Sequence, residues 1–395
     1  LPEICADVAV VGGGPIGTSL ALALAAAGAT VALIERATPT ALADVAFDGR
    51  ATAVALGGQR LLARLGVWEA LAPAAGPIDD IRVSDGASRL FLHYDHRQVG
   101  GDPFGWIVEN AALRAALWAA VTAMSAIRAV TGAEVTGTTI TTNGARLALA
   151  DGRGVRARLV AACDGRGSAQ RRHAGIAATG DRYPQTALVF AVRHAEPHRR
   201  VAHERFLPGG PFALLPLADL HRSSVVWTER TPLAEHLLTL DDRRLAAEML
   251  ARFGDCLGAF TPEGRRWRWP LAVHVAHQFM GDRLALVGDA AHGIHPIAGQ
   301  GFNLGLRDVE ALAMAVGASL DLGLDPGRPE ALDGYDRARR GDVLRMVVAT
   351  DGLNRLFSNA DPALALARRL GLGAVERMGP LKGFFMRQAM GVGRR

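Results

Sequence analysis

Gly12-Gly13-Gly14-Pro15-Ile16-Gly17 restricts the fold of this chain more than any other stretch. It follows Asp7–Gly12, a short apolar run of the kind a buried parallel strand uses, and opens an alanine- and leucine-rich run to Ala27 that predicts a helix. Gly28 caps that helix, and Thr30 to Ile34 returns as a second strand ending at Glu35. In this setting Gly12-x-Gly14-x-x-Gly17 is a dinucleotide fingerprint. Its glycines give the tight turn, admit a pyrophosphate close to main chain, and let helix and strand pack together. Pro15 and Ile16 start the helix, whose N-terminal N–H groups suit phosphate. Glu35 lies 18 residues beyond Gly17, where a carboxylate accepts hydrogen bonds from both ribose hydroxyls and disfavours a 2′-phosphate. Arg36 beside it joins the expected cofactor contacts. The unit predicts binding of an ADP moiety and leaves NAD and FAD both open.

The chain's 395 residues leave room for two packed regions, and 49% hydrophobic with 21% charged residues suits a globular enzyme. The net charge of +5 is arginine-rich, but its basic clusters (Arg171-Arg172-His173 and Arg265 to Trp269) are short and scattered, so nucleic acid is not an expected partner. Cys5, Cys163 and Cys256 are widely spaced, which points to a reducing compartment rather than a disulfide scaffold or zinc knuckle. Ile16 to Ile34 is uncharged and imitates a membrane span, yet Gly28 interrupts it and Glu35-Arg36 follow at once. With no basic n-region at the start, the expected location is cytoplasmic, with a peripheral contact to the inner membrane left open.

Further along, Arg50 to Leu65 reads as a loop followed by a helix, and Ile78 to Tyr94 alternates like strand. Glu109 to Val121 restores a helix, and Ala133–Thr141, Arg146–Ala150 and Val155–Cys163 read as strands joined at Asn143-Gly144 and Asp151-Gly152. Tyr183 to Trp269 is mostly β, with one helix near Leu240 to Phe253. Arg283–His292 gives another buried strand, followed by a long helix to about Leu320 and further helix past Pro329. The predicted fold is α/β: a Rossmann-like FAD-binding domain (1–75, 104–180, 272–328) interrupted by a mostly β substrate domain (76–103, 181–271), then a C-terminal helical region (329–395).

The choice of FAD rests on a second glycine turn, HPIAGQGFNLGLRD, from His295 to Asp308. Glycine in a helix costs about 1 kcal/mol relative to alanine, so Gly299, Gly301 and Gly305 imply that main chain approaches something bulky. Asp289, just past a buried strand, can bond a ribityl chain. A helix N-terminus at Gly299–Gly301 would stabilise negative charge on a reduced isoalloxazine, with Phe302 and Asn303 at the same ring edge. NAD has no group needing this second site. Asp289, His292 and His295 have spacing that could suggest a metal, but no further acid or cysteine is close in sequence, and no metal is expected.

HPIAGQGFNLGLRD resembles the signature of the ubiquinone-biosynthesis ring hydroxylases. These belong to the single-component flavoprotein aromatic hydroxylases, of which the para-hydroxybenzoate enzyme is the best known. The resemblance runs along nearly the whole chain: GGGPIG, DGRATAVALGGQRLLARLGVW, ENAALRAALW, CDGRGSAQRR, GPFALLPL, VGDAAH, TDGLNRLFS and LKGFFMRQAMG. It implies that Arg50 reaches the FAD phosphate–ribityl region, that Asn110 stands near the cofactor, and that Val135 meets adenine through main chain. Asp289 matches the ribityl-binding aspartate, and Phe302-Asn303 the flavin pyrimidine contact. Asp164-Gly165 with Arg171 resembles a motif for FAD and pyridine nucleotide, although Arg166-Gly167 departs from the small or polar residues usual after it.

The resemblance further implies a monooxygenase. NADH or NADPH visits briefly to reduce the flavin, O2 adds at C4a, and the hydroperoxide hydroxylates the ring of a polyprenylated phenol. Such a pocket must be apolar and closed; Phe212, Leu214, Pro216, Pro296 and Ile297 are the expected walls. A base would help by removing the phenol proton, and His203, His221, His292 and His295 are available. The segment Ala363–Arg395 mixes Arg368, Arg369, Lys382, Arg387, Arg394 and Arg395 with apolar residues, and is expected to pack as a closing helix rather than lie on membrane. Other ubiquinone-biosynthesis enzymes are conceivable partners. The competing functions are hydroxylation of a small soluble aromatic acid and a non-catalytic flavoprotein that binds prenyl lipid.

Overall fold

Val8, Ala9 and Val10 are all fully buried, so the first strand packs on both faces, as a central parallel strand must. The structure is a computed structural model and describes residues 3–43, 49–86, 88, 91–295, 299–358, 368, 371, 373 and 375–392. Ile4–Val11 pairs in parallel with Val31–Glu35 on one side and Gly154–Ala162 on the other. The sheet runs Met280–Gly281, Leu284–Leu286, Gly154–Ala162, Ile4–Val11, Val31–Glu35, Ile127–Thr131, with the hairpin of Val135–Thr141 and Gly144–Leu149 attached. The edge strand Ile127–Thr131 was not foreseen from sequence.

A second sheet of eight strands follows the order His292–Gly293, Phe260–Ala276, Ala178–His194, Arg222–Arg230, Gly210–Pro216, Val201–Leu207, Asp80–Asp85, Phe91–Asp95. A small third sheet joins Ala51–Ala55, Gly105–Glu109 and Ala75–Ile78. The α/β class with a mostly β insertion and helices after residue 329 is the observed architecture.

Two local readings need correction. Residues 51–55 form a strand, not a loop, because Gly105–Glu109 is there to pair with them. The helix expected near Leu240–Phe253 is Asp242–Phe253, capped by the Asp241 carboxylate on the Arg244 N–H, but a second helix, Thr231–Thr239, precedes it where only β structure was expected.

At the C-terminal end, Pro329–Phe357 is a long helix and Gly379–Ala389 a shorter one. The shorter helix buries Met386, with Met390 just beyond it, against Leu56 and Ile107, and the Met390 carbonyl accepts the Gly57 N–H at 2.9 Å. Lys382 is buried and paired with Glu376 at 2.7 Å. Arg369, Arg394 and Arg395 lie outside the described residues. No described helix is long and apolar enough to cross a membrane.

Candidate functional site

The first glycine turn is held shut from three sides. Gly12 has φ +105°, and a Cβ there would lie 2.4 Å from the Cys163 carbonyl oxygen; one on Gly17 would lie 1.8 Å from the Gly12 oxygen. Both positions therefore need glycine. Gly14 differs, since a Cβ there would meet nothing within 4 Å. It is the N-cap of Pro15–Ala26, with no side chain capping the helix. Its open side and the unpaired N–H groups are what an incoming diphosphate needs. Glu35 braces the turn by accepting the Gly13 N–H at 2.6 Å and the Ala37 N–H at 2.7 Å. The Trp118 indole donates to the Gly13 carbonyl at 3.2 Å, a support that sequence reading missed. Arg36 is exposed.

The second turn repeats the design. Gly299 caps Gln300–Asp321 in the left-handed region at φ +61°, again with no side-chain cap. Among the described residues, a Cβ on Gly301 would meet nothing within 4 Å. The two helices pack on each other at these ends: a Cβ on Gly305 would come 2.6 Å from Ile16, and one on Gly288 3.2 Å from it. Two uncapped helix N-termini, separated by almost 300 residues of sequence, thus open side by side. Phe302 is half-buried. Asn303 is 4% exposed, and its amide ties the helix to Ala51–Ala55 through the Ala55 N–H (2.8 Å) and the Ala53 carbonyl (3.0 Å). Its side chain is therefore engaged with the strand instead of projecting from the turn.

Below this turn lies a buried ionic network. Asp308 takes the His292 ring at 2.6 Å, Arg339 at 2.7 Å and the Gly288 N–H at 2.9 Å. Burial alone would raise the Asp308 carboxyl, but these partners more than offset it and hold its pKa below the usual range. Arg339 also pairs with Asp342, and the Tyr335 hydroxyl donates to the Leu286 carbonyl. The network clamps the Gly288–Ala291 turn to two helices. His292 is locked into it and is not a free base.

The other expected cofactor residues gather around the two turns. Asp289 is exposed on the turn after Leu284–Leu286. Asp164 caps a short helix through Ala169 and Gln170, while its Oδ1 is buried without a partner. Arg171 donates to the Ala290 carbonyl at 2.6 Å, so the Asp164-Gly165 turn is tied to the turn carrying Asp289. Val135 starts its strand two residues past Ala133, whose N–H bonds the Glu35 carbonyl. Arg50 and Asn110 are joined through main chain at 3.0 Å, and Arg50 lies over Trp267 at 4.6 Å.

The second sheet has two unlike faces. Phe212 (0% exposed) and Leu214 (1%) belong to a dry core with Leu188, Phe190, Val225 and Trp227, closed over by Leu237, Met249 and Phe253 of the two helices. The expectation that Phe212 and Leu214 wall a pocket is therefore wrong by one residue, because side chains alternate along a strand. Pro216 is buried with its carbonyl against Gly76. Pro296 and Ile297 lie outside the described residues.

On the opposite face a row runs in register: Val83, Glu204, Ala213, Val226, Val189. All but Ala213 keep some exposure in mid-sheet, so they border open space. Neighbours on this face, Ala191, Ala202 and Leu215, pack with Ala51, Ala53 and Leu56. The row thus looks toward the strand that Asn303 holds.

The remaining histidines are distributed accordingly. His203 points into the dry side against Phe253, 5.5 Å between ring centres, where burial pushes its pKa down to about 4. His221 bonds the His194 carbonyl. His295 is fully buried, sits edge-on to Tyr183 at 5.1 Å, and among the described residues has no hydrogen-bond partner at either nitrogen; burial lowers its pKa to about 4. Tyr183 donates to Asp351 at 2.8 Å.

Comparison with known proteins adds a separate line. Residues 5–350 match the family described as FAD binding domain. The chain is 50% identical over 386 residues to "Ubiquinone hydroxylase UbiL" of Rhodospirillum rubrum, covering 98% of this chain and 90% of that protein. It is 34% identical over 392 residues to the "3-demethoxyubiquinol 3-hydroxylase" of Escherichia coli, covering 98% of each. Among solved structures, the p-nitrophenol 4-monooxygenase PnpA of Pseudomonas putida superposes with a TM-score of 0.83 at 22% identity over the full length of both chains.

Proposed function

We infer that this chain, which belongs to the FAD binding domain family and within it to the ubiquinone hydroxylases, is an FAD-dependent monooxygenase that hydroxylates the aromatic ring of a polyprenylated phenol in ubiquinone biosynthesis. The observation that carries this reading is the pair of uncapped, glycine-opened helix N-termini packed together at Ile16 and Gly305. A dinucleotide needs one such terminus; the second, beside an open cleft, suits a flavin.

The residues present fit FAD. Among the described residues, a Cβ on Gly14 or Gly301 would meet nothing within 4 Å, and Asp164 Oδ1 is a buried acceptor without a partner. We assign the diphosphate to Gly12–Gly17, the adenosine to Glu35, Arg36 and Val135, the ribityl region to Arg50, Asn110, Asp164 and Asp289, and the ring to Gly299–Asn303. When bound, FAD supplies the reduction and activation of O2. The protein's part is to orient the substrate and keep water out. Electrons come from NADH or NADPH, which binds transiently.

The substrate wall is the Val83–Val189 row. Its apolar members suit an unhydrated aromatic ring, and its one acid, Glu204, would repel a carboxylate. Both points favour a neutral prenylated phenol over a small aromatic acid. Incubating the flavin-loaded protein with a prenylated phenol, NADH or NADPH and 18O2 is expected to give a product carrying one labelled oxygen. Turnover of hydroxybenzoates with none of prenylated phenols would overturn the substrate assignment. Exposed Met378, Phe384 and Phe385, near Arg377 and Arg387, further support peripheral contact with anionic lipid; loss of vesicle flotation on replacing both phenylalanines by serine is the expected outcome.

A further inference from the structure

We propose that Glu204 is the group that receives the phenolic O–H of the substrate, as hydrogen-bond acceptor and then as proton acceptor. Three observations converge on it. Glu204 is the one ionisable member of the Val83, Glu204, Ala213, Val226, Val189 row. Among the described residues its carboxylate has neither hydrogen-bond nor ion-pair partner, although it stands between the strands of a packed sheet. Holding a carboxylate partly out of water without a partner is costly, and a bound hydroxyl would satisfy it. The adjacent row on this face, through Ala202, Leu215 and Ala191, packs with Ala51 and Ala53 of the strand that Asn303 joins to the second glycine turn.

Burial pushes the Glu204 carboxyl up to about 7, with no charge contributing. The charged groups on the same face have partners of their own: Asp85 on the neighbouring strand has Arg368 (3.3 Å), Asp351 on the long helix has Tyr183 and Arg355, Arg222 has Glu263 and Glu109, and Arg50 and Arg265 lie over the ring of Trp267, which pairs with Val189. His203 and Arg205, adjacent in sequence, point to the other face. A carboxylate of that basicity is matched far better to a phenol than an ordinary one. The step balances simply. The phenol O–H bond breaks, its proton passes to a Glu204 oxygen, and the electron pair stays on the substrate as phenolate, whose ring is the stronger nucleophile. The proton leaves to solvent when product departs.

This inference rests on the substrate class proposed above. Its test is Glu204→Gln, which keeps size and can still donate but cannot take the proton. The probe is a 2-prenylphenol turned over by flavin-loaded protein across the pH range, with product and reductant consumption both measured and flavin content and melting temperature checked in each variant. In the native protein product per reductant consumed is expected to rise as pH rises through about 7. In Glu204→Gln that limb should vanish, product per reductant consumed should fall by about 100-fold at neutral pH, and a fluorinated phenol already ionised at that pH should restore most of it. An unchanged pH profile and unchanged coupling in Glu204→Gln would overturn the role of Glu204 while leaving the substrate class standing. Failure of the native protein to bind any prenylated phenol would overturn both.

Discussion

His203 and Glu204 are neighbours in the chain and face opposite sides of one sheet, and each takes its character from its side. His203 enters a dry aromatic core built by Phe212, Trp227 and Phe253. Glu204 enters a row that keeps exposure in mid-sheet and looks toward the glycine turns. One face is a packed core, and the other is the face proposed to meet the substrate, within the same strands. An enzyme can tolerate an unpartnered carboxylate on the second face because the first face is so thoroughly packed.

The strongest attempt to break this division is Trp227→Ala. Trp227 is fully buried and stacked on Phe212 at 4.7 Å. Its loss should cost about 3–5 kcal/mol of stability, read by chemical denaturation, while surviving folded protein keeps its flavin. A loss of flavin without loss of stability would show that the dry face is part of the cofactor site.

Next come the two titrating neighbours, whose effects should have opposite sign. The Glu204 pKa is raised from 4.5 to about 7 on folding. The native state therefore holds the proton more tightly, and stability falls as pH rises from 4.5 to 7. The His203 pKa is lowered from 6.5 to about 4, so the unfolded chain takes the proton first and stability falls as pH drops from 6.5 to 4. Each contribution should be on the order of 1–3 kcal/mol, allowing for partial exposure. Thermal melts across pH should show Glu204→Gln more stable than native protein above pH 7, and His203→Leu without the acid limb. Parallel slopes for the two variants would contradict the two-face account.

The smallest stability effect belongs to Val226→Ala. Val226 is on the open row, so truncation should cost under about 1 kcal/mol. Its mark should instead be a raised KM for the phenol with FAD content unchanged. A cost as large as that of Trp227→Ala would place Val226 in a core.

The two glycine turns proposed to hold the cofactor were legible because they are written in local sequence. Each glycine turn sits between a strand and a helix, and the fingerprint spacing specifies both the turn and the group it receives. The substrate wall was not legible in that way. GPFALLPL shows that residues alternate, but which half faces the cleft depends on the pairing Glu204–Ala213–Val226 and on two helices that cover the other side. Phe212 and Leu214, the larger residues, looked like better pocket walls, and size there marked the core. The same holds for His292, whose partner Asp308 lies a further 16 residues along and whose other clamp, Arg339, comes from a different helix. Glu204 carried no local signal at all, since an acid in an alternating strand ordinarily marks the solvated face.

The most direct test is a crystal structure of the flavin-loaded protein with a 2-prenylphenol bound. The account predicts the dinucleotide lying across both Gly12–Gly17 and Gly299–Gly301, with the phenol ring against Ala213 and Val226 and its hydroxyl on Glu204. A phenol ring seated away from that row, or a flavin ring that does not reach Gly299–Gly301, would contradict it.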